Sequence, residues 1–234
     1  MRVEIWSDVV CPWCYIGKRN LEAALDGFAH GDEVEVVWRS FELDPGAPAR
    51  REGPYAARLA RKYRTTVEEA QAMIDRMTAA GASVGLDLRF DLAQPGNTFD
   101  AHRVLHLAAR SGLQGRLKER LLAATFTEGQ AIGDREVLVR LAAEAGLDAD
   151  EVREVLASGA FGDEVRADEA EAVQREVTGV PSFVVDGTYA ISGALPPAVL
   201  RRMLEKAWVA GQPAALVRSG PTDGPGCDGD ACDV

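Results

Sequence analysis

The sequence predicts an α/β protein in which a long helical segment interrupts a single sheet. Residues 1–41 follow the order strand, turn, helix, strand, and residues 181–209 follow the order strand, strand, helix. Between these two segments, apolar residues recur every three to four positions, a period typical of amphipathic helices. The predicted fold class is therefore α/β with an inserted all-helical block.

The N-terminal segment predicts a βαβ unit. A short strand at Val3–Ser7, rich in β-branched and aromatic residues, is broken by the turn at Asp8–Pro12. A second strand is expected at Val34–Phe41, and such units join parallel strands by a right-handed crossover. The helix between the strands has apolar residues at i, i+3, i+4 and i+7, namely Leu21, Ala24, Leu25 and Phe28.

The middle of the chain predicts only helices and loops. Residues 43–54 are rich in Pro, Gly and Arg and predict a loop, and residues 82–97 are irregular. A capping box at Thr66–Glu69 marks the start of one helix, and Asp134 is expected to cap another. Helices are expected near 56–63, 66–77, 98–111, 115–127, 134–145, 148–157 and 163–177.

The C-terminal part returns to the period of a strand. An Asp-Gly pair at 186–187 between two short apolar runs predicts a hairpin, and a final helix is expected at Pro197–Val209. We expect residues 1–44 and 160–211 to form the sheet domain and residues 45–159 the helical insertion. Residues 212–234, with several Gly and Pro, predict a flexible tail.

Composition excludes several classes of protein. The 234 residues hold 26 Lys and Arg against 37 Asp and Glu, a net charge of −11, which argues against a nucleic-acid partner. Four Cys are too few for a disulfide scaffold. There is no apolar run of roughly 18 residues, so a membrane span is not expected. The N-terminus has no signal-peptide pattern, so a cytoplasmic protein is expected.

The most informative motif is Cys11-Pro12-Trp13-Cys14, at the junction of the first strand and the first helix. A helix N-terminus favours an anion and stabilises a thiolate there. We expect Cys11 to be the exposed attacking thiolate and Cys14, one turn later, the buried thiol that resolves a mixed disulfide. The alternatives are two buried Cys that are merely close, or half of a zinc site.

Several segments together resemble the DsbA-like members of the thioredoxin superfamily, specifically the FrnE-like branch. These segments are residues 7–14, 38–45, 97–103 and 179–184. The resemblance implies a thioredoxin fold with a helical insertion and disulfide oxidoreductase or isomerase activity on protein or small-molecule thiols and disulfides. It implies that Cys11 is the nucleophile, Cys14 the resolving thiol and Pro181 a cis-proline beside them, with Pro12, Trp13 and Val180 in the substrate cleft.

The chain also departs from its resemblance to the DsbA oxidants. Those proteins carry His where this chain has Trp13, so a less oxidising couple is expected here. The same branch resembles 2-hydroxychromene-2-carboxylate isomerases and kappa-type glutathione transferases, which use glutathione. Asn97, Thr98 and His102 match positions that line the pocket of those relatives. The alternative function is therefore a glutathione-dependent isomerase or transferase of an aromatic or polyketide-like molecule; no cofactor beyond glutathione is expected.

The second cysteine pair, Cys227 and Cys232, lies in a segment with four Asp and no Lys or Arg between residues 219 and 234. Two readings stay open: a second redox pair that exchanges electrons with Cys11 and Cys14, as an extension in some FrnE-like proteins suggests, or thiols without an essential role. A zinc site formed by all four Cys is a third, less favoured hypothesis, because the spacing is not that of a finger or ribbon.

Two further sets of polar residues have structural interpretations. His102 and His106 share one helix face, but no third metal ligand is suggested, so no metal is expected. Arg39, at the end of the second strand, is interpreted as an ion-pair partner rather than a substrate clamp.

Overall fold

A four-stranded mixed sheet is formed by both ends of the described chain, which comprises residues 1–211 of a computed structural model. The strands are β1 (Arg2–Ser7), β2 (Glu35–Ser40), β3 (Ser182–Val185) and β4 (Tyr189–Ser192), in the order β2-β1-β3-β4. β1 pairs with β2 in parallel, and the other two pairs are antiparallel. This confirms the predicted fold class and the βαβ unit.

The helices follow the predicted order, with small differences at their ends. The helix predicted to reach Val177 ends at Gln174, because Glu176 adopts the left-handed conformation with φ 56°. The helices are α1 (Pro12–Asp26), α2 (Tyr55–Tyr63), α3 (Val67–Ala82), α4 (Phe99–Arg110), α5 (Gln114–Phe126), α6 (Arg135–Glu144), α7 (Ala149–Ala157), α8 (Gly162–Gln174) and α9 (Pro197–Gly211). None of these helices is long and apolar enough to cross a bilayer.

The local signals in the sequence correspond to observed geometry. Asp186 and Gly187 both have positive φ, 46° and 67°, which is the type I′ turn whose twist suits a two-residue hairpin. The Thr66 hydroxyl accepts the Glu69 N–H at 3.1 Å, and the Glu69 carboxylate accepts the Thr66 N–H, also at 3.1 Å. Asp134 caps α6 through the N–H groups of its first turn.

The two faces of the sheet pack against different helices. On one face Val3 and Ile5 of β1 pack with α1 and with Leu200 and Leu204 of α9. On the other face Trp6 packs on α8 and donates its indole N–H to the Asp168 carbonyl at 2.9 Å. This alternation follows from the two-residue repeat of a strand, and it fixes the orientation of the loop that follows β1.

The helical residues form two further cores. One joins α4, α5, α6 and α7. The other joins the α2–α3 hairpin to α1 and α5 through Tyr15, Ile74, Met77 and Phe126. The hairpin is therefore packed beside the beginning of α1. The predicted domain boundaries stay predictions, and the residues 212–234, with Cys227 and Cys232, lie outside the described residues.

A polar cluster joins the sheet to α4 and α8. Arg39 of β2 contacts Asp168 at 2.9 Å and donates to Glu4 at 2.9 Å. The Asp168 carboxylate also accepts the Ser40 N–H at 2.8 Å and lies 3.1 Å from His106 Nε2. Arg39 is thus an ion-pair partner, as predicted. Burial would raise the pKa of Asp168, but the hydrogen bonds from His106 and the Ser40 N–H outweigh it and lower that pKa.

We predict that Asp168→Asn lowers the free energy of unfolding by about 3–5 kcal/mol at pH 7, because Arg39 loses a buried partner. Since the folded pKa of Asp168 lies below its unfolded value, the carboxylate stabilises the fold above about pH 4. The difference from the wild type should therefore shrink as the pH falls below that value. Urea unfolding at several pH values measures this difference in the free energy of unfolding.

The matched control is Asp150→Asn, because Asp150 is 88% exposed and paired only with Arg153. We expect it to change the free energy of unfolding by no more than about 0.5 kcal/mol. Equal stability of Asp168→Asn and the wild type at pH 7 would contradict the role of the cluster.

Candidate active site

The cysteine motif begins α1. Cys11 is the N-cap residue, with extended φ and ψ of −99° and 112°, and Pro12 occupies the first helical turn, where its missing N–H costs nothing. The Cys11 N–H donates to the Asp8 carbonyl at 3.3 Å, and the Cys14 N–H donates to the Cys11 carbonyl at 3.0 Å. This tight turn places one sulfur at the helix start and the other a turn inside.

The Val180–Pro181 peptide bond is cis, as predicted, and it lies beside the motif. The Cys11 Sγ is 3.6 Å from the Val180 carbonyl oxygen, to which it donates. Gly17 of α1 allows this approach, because a Cβ at that position would lie 2.9 Å from Pro181 Cγ. α1 thus carries both thiols, and the missing side chain of Gly17 leaves space for the Pro181 ring.

The two thiols lie one helical turn apart and cannot both ionise easily. The hydrogen bond to Cys14, together with burial, raises the pKa of Cys11 well above its ordinary value. Burial would also raise the pKa of Cys14, but the hydrogen bond from Cys11 and the charge of Lys118 lower it. The pair therefore holds one thiolate charge across two sulfurs, and the second deprotonation is the difficult one.

A buried cation and a buried carboxylate lie next to the thiols. Lys118 of α5 is fully buried and donates to the Ser7 carbonyl at 3.2 Å. Burial lowers its pKa to about 8, and the charges of Cys14 and Asp8 oppose that shift. Asp8 is also fully buried, and its carboxylate accepts the Leu43 N–H at 2.8 Å. The two thiols therefore lie in an environment with charges of both signs.

A cleft of about 520 Å³ opens beside Cys11. Cys11, Pro12, Trp13, Thr98 and Val180 form one side of it. The opposite side consists of apolar residues of the α2–α3 hairpin, namely Tyr55, Leu59, Tyr63, Met73 and Met77. Four cations also line it, namely Arg51, Arg58, Lys62 and Arg76. Because Cys14 does not line the cleft, a molecule bound there meets the Cys11 thiol but not the Cys14 thiol.

Residues 2–205 match the model of the DSBA-like thioredoxin domain family. The chain belongs to the DsbA-like thioredoxin domain family. This is a family of thiol oxidoreductases, which act on thiols and disulfides. The DsbA-like sheet, the cis-proline and the Cys-x-x-Cys turn described above are in agreement with this membership.

Several known proteins are similar over most of the chain. A solved structure of a probable DsbA oxidoreductase from Streptomyces coelicolor is 47% identical, with a TM-score of 0.87, over 98% of this chain and all of that one. YwbO of Bacillus subtilis is 28% identical over 88% of this chain and 95% of its own length. The cytosolic disulfide reductase DsbM of Pseudomonas aeruginosa, solved with GSH, is 20% identical over 89% of this chain and all of that one, with a TM-score of 0.62.

Three expectations about this DsbA-like site are wrong. Cys11 is only 5% exposed rather than open to solvent, because it lies under the Val180 carbonyl. His102 is 1% exposed and does not line the cleft, because it lies against the Asp8 carboxylate at 3.3 Å. Asn97 does not line the cleft either. Its amide donates to the Pro45 carbonyl at 3.1 Å, and its side-chain oxygen accepts the Phe99 N–H.

The sequence prediction missed most of the second side of the cleft. Met73 and Met77 have the helical spacing of core residues, and nothing in the sequence indicates that the α2–α3 hairpin faces Cys11. The buried position of Lys118 beside the cysteines was missed as well, although the sequence of α5 contains a signal for it. Lys118 lies four residues after Gln114 and three before Leu121, on the buried face of α5. A lysine on such a face needs a polar partner, and here the Ser7 carbonyl at the end of β1 accepts a hydrogen bond from its ammonium.

We predict that Gly17→Ala lowers the free energy of unfolding by about 1–2 kcal/mol, because its Cβ would overlap the Pro181 ring. This loss should exceed the gain of about 1 kcal/mol that alanine brings to a helix interior. The matched control is Gly115→Ala in α5, whose Cβ would meet nothing closer than Trp38 Nε1 at 3.8 Å. A Gly17→Ala protein as stable as the control in urea would contradict the close approach.

Proposed function

We propose that this protein is a thiol–disulfide oxidoreductase in which Cys11 is the attacking sulfur and Cys14 the resolving sulfur. The observation that carries the proposal is the position of two thiols one turn apart at a helix start, with Cys11 but not Cys14 on the cleft. Access rather than pKa selects the nucleophile. Cys14 has the lowered pKa, but it does not line the cleft, so a disulfide that enters the cleft meets Cys11.

The reaction then proceeds in two exchanges. The Cys11 thiolate attacks one sulfur of the substrate disulfide, forms a mixed disulfide and releases the other sulfur as a thiolate. The Cys14 thiolate attacks the Cys11 sulfur, the Cys11–Cys14 disulfide forms, and the second substrate thiolate leaves. Two electrons pass from the dithiol to the substrate. If Cys14 does not attack, the released substrate thiolate can attack another disulfide, which is isomerisation.

The Val180 carbonyl and the cis-proline support this scheme. The carbonyl accepts a hydrogen bond from the Cys11 thiol, so it keeps that sulfur at the edge of the cleft until it ionises. We also propose a cytoplasmic setting, where thiols are mostly reduced. DsbM of Pseudomonas aeruginosa, whose fold is similar, is a cytosolic disulfide reductase, in agreement with that setting. In such a compartment the dithiol form would reduce or reshuffle disulfides.

We predict that Cys11→Ser abolishes both insulin reduction and the reactivation of scrambled ribonuclease, because Cys11 is the cysteine of residues 1–211 that lines the cleft. Cys14→Ser should instead accumulate a mixed disulfide on Cys11, because the resolving attack is lost. Mass spectrometry of the non-reduced protein measures that adduct. Full activity of the Cys11→Ser protein would disprove the proposed function.

The remaining cysteines provide a matched comparison. The double variant Cys227→Ser, Cys232→Ser makes the same chemical change outside the described residues. Unchanged turnover of this variant supports a reaction carried by Cys11 and Cys14 alone. Reduced turnover with an intact Cys11–Cys14 exchange supports the second redox pair considered in the sequence analysis.

A second candidate function is a glutathione-dependent isomerase or transferase. The composition of the cleft favours it, because four cations and several apolar side chains lie beside Cys11 in a protein whose net charge is −11. Asp44 also lines the cleft, and it is paired with Arg51. Glutathione has two carboxylates and a thiol, which complement cations and a reactive sulfur. That DsbM was solved with GSH adds support.

We predict that Lys62→Gln and Arg76→Gln each weaken glutathione binding about two- to fivefold, the effect of one partly exposed charge. Isothermal titration calorimetry at low and high salt measures the dissociation constant of glutathione. The difference between variant and wild type should become smaller at high salt. Lys206→Gln on α9, which does not line the cleft, is the matched control. Absence of glutathione binding would disprove this candidate, and binding without dithiol turnover would favour it over the oxidoreductase.

A further inference from the structure

We propose that Lys118 is the positioning residue that holds and delivers the Cys14 thiolate for the resolving attack. The inference rests on the proposed oxidoreductase function and goes beyond it, because it assigns part of the redox chemistry to the helical insertion. α5 (Gln114–Phe126) carries no cysteine and does not line the cleft, yet it delivers a cation to the buried side of the redox pair.

Two contacts fix the position of the Lys118 ammonium. Nζ donates to the carbonyl oxygen of Ser7, the last residue of β1, at 3.2 Å. It also lies 5.5 Å from the centroid of the Trp38 ring on β2. The side chain has no exposed surface, so the charge cannot reach water. A buried ammonium persists only where opposite charge compensates it.

The charged and titratable groups that face Lys118 come from α1 and from the loop before it. They are Cys14, Asp8, Cys11 and Lys18, in decreasing order of influence. Asp8 already serves other partners, since its carboxylate accepts the Leu43 N–H and lies against His102. Lys18 is of like sign and is held by Glu22 and Glu119. The two cysteines are thus the facing groups whose charge changes during turnover, and Cys14 is the one that ionises for the resolving attack.

The Ser7 hydroxyl provides a second, independent observation. It is fully buried and has no hydrogen-bond partner within the described residues. A buried hydroxyl without a partner is rare and costly. Its O–H is free to donate to a Cys14 thiolate, an interaction that lowers the pKa of that thiol. The Ser7 hydroxyl of β1 and the Lys118 ammonium of α5 therefore both favour a thiolate on Cys14.

The chemical step follows from these groups. In the mixed disulfide, Cys11 is bonded to the substrate and Cys14 carries a thiol. Because the pKa of Lys118 falls to about 8, a neutral amine is accessible near neutral pH and accepts the Cys14 proton. The resulting thiolate attacks the Cys11 sulfur, the Cys11–Cys14 bond forms and the substrate thiolate leaves. The Lys118 ammonium keeps this proton until the disulfide is next reduced and Cys14 becomes a thiol again, while the substrate thiolate takes its proton from the solvent in the open cleft, so protons and electrons balance.

The test compares the full-length wild type with Lys118→Met in stopped-flow assays of the two exchanges. We expect the resolving step to slow about tenfold at pH 7 and its pH profile to move upward by about one unit, as for a thiol that loses a nearby cation. Attack by Cys11 on a small disulfide should change less than about twofold, since Lys118 influences Cys11 less than Cys14. The mixed disulfide should therefore accumulate, as seen by mass spectrometry.

Lys206→Met is the matched control, because it removes the same charge from α9, where Lys206 lies over the Tyr189 ring and does not line the cleft. It should leave the resolving step unchanged. An equal rate of resolution in Lys118→Met and the wild type overturns the inference, whereas turnover by Cys11→Ser overturns the proposed function itself. The two failures are thus distinguishable.

A measurement on the wild type covers the case in which Lys118→Met does not fold. The chain has four lysines, so isotope-labelled lysine gives few NMR signals. The Lys118 signal should titrate at a higher pH in the dithiol state than in the disulfide state, because oxidation removes the thiolate charge that favours the ammonium. An identical titration in both redox states overturns the inference.

Discussion

The antiparallel pairing of β1 with β3 is the constraint on which the site depends. Trp6 faces Ser182 across this pair, so the turn that leaves β1 and the loop that enters β3 meet at the same end of the sheet. The thiols of Cys11 and Cys14 and the cis-proline at 181 are nearly the whole chain apart in sequence. The pairing brings them into contact, and the Cys11 thiol and the Val180 carbonyl hydrogen-bond as a result.

The same end of the sheet is where the helical insertion contributes its polar groups. α5 inserts Lys118 below the motif, α4 places His102 against Asp8, and the α2–α3 hairpin faces Cys11 across the cleft. Buried ionic groups of this kind add little to stability compared with apolar packing. Their position around two titrating sulfurs is instead an arrangement that tunes proton affinity, which is the usual association of perturbed groups with functional sites.

Much of this could be predicted from the sequence because the signals are local. The motif at 11–14, the Asp-Gly turn at 186–187 and the capping box at Thr66 each depend on neighbouring residues, and each is found in the structure. The side of the cleft formed by α2 and α3 could not be predicted. Met73 and Met77 have the spacing of core residues, and only the tertiary packing of the hairpin on α1 decides that they also line the cleft.

His102 and Lys118 also show that the sequence alone does not predict which side chains tertiary packing brings to the cleft or buries beside it. The resemblance placed His102 in the pocket, but the burial of Asp8 draws the imidazole away from the cleft and into a buried pair. Lys118 has the helical spacing of an apolar core residue but the charged side chain of a surface residue. This conflict between spacing and residue type is present in the sequence of α5 itself. A conflict between pattern and residue type marks a position where function, rather than packing, selects the side chain. On that argument, the polar groups buried beside the two cysteines, rather than apolar packing, account for a lysine at position 118.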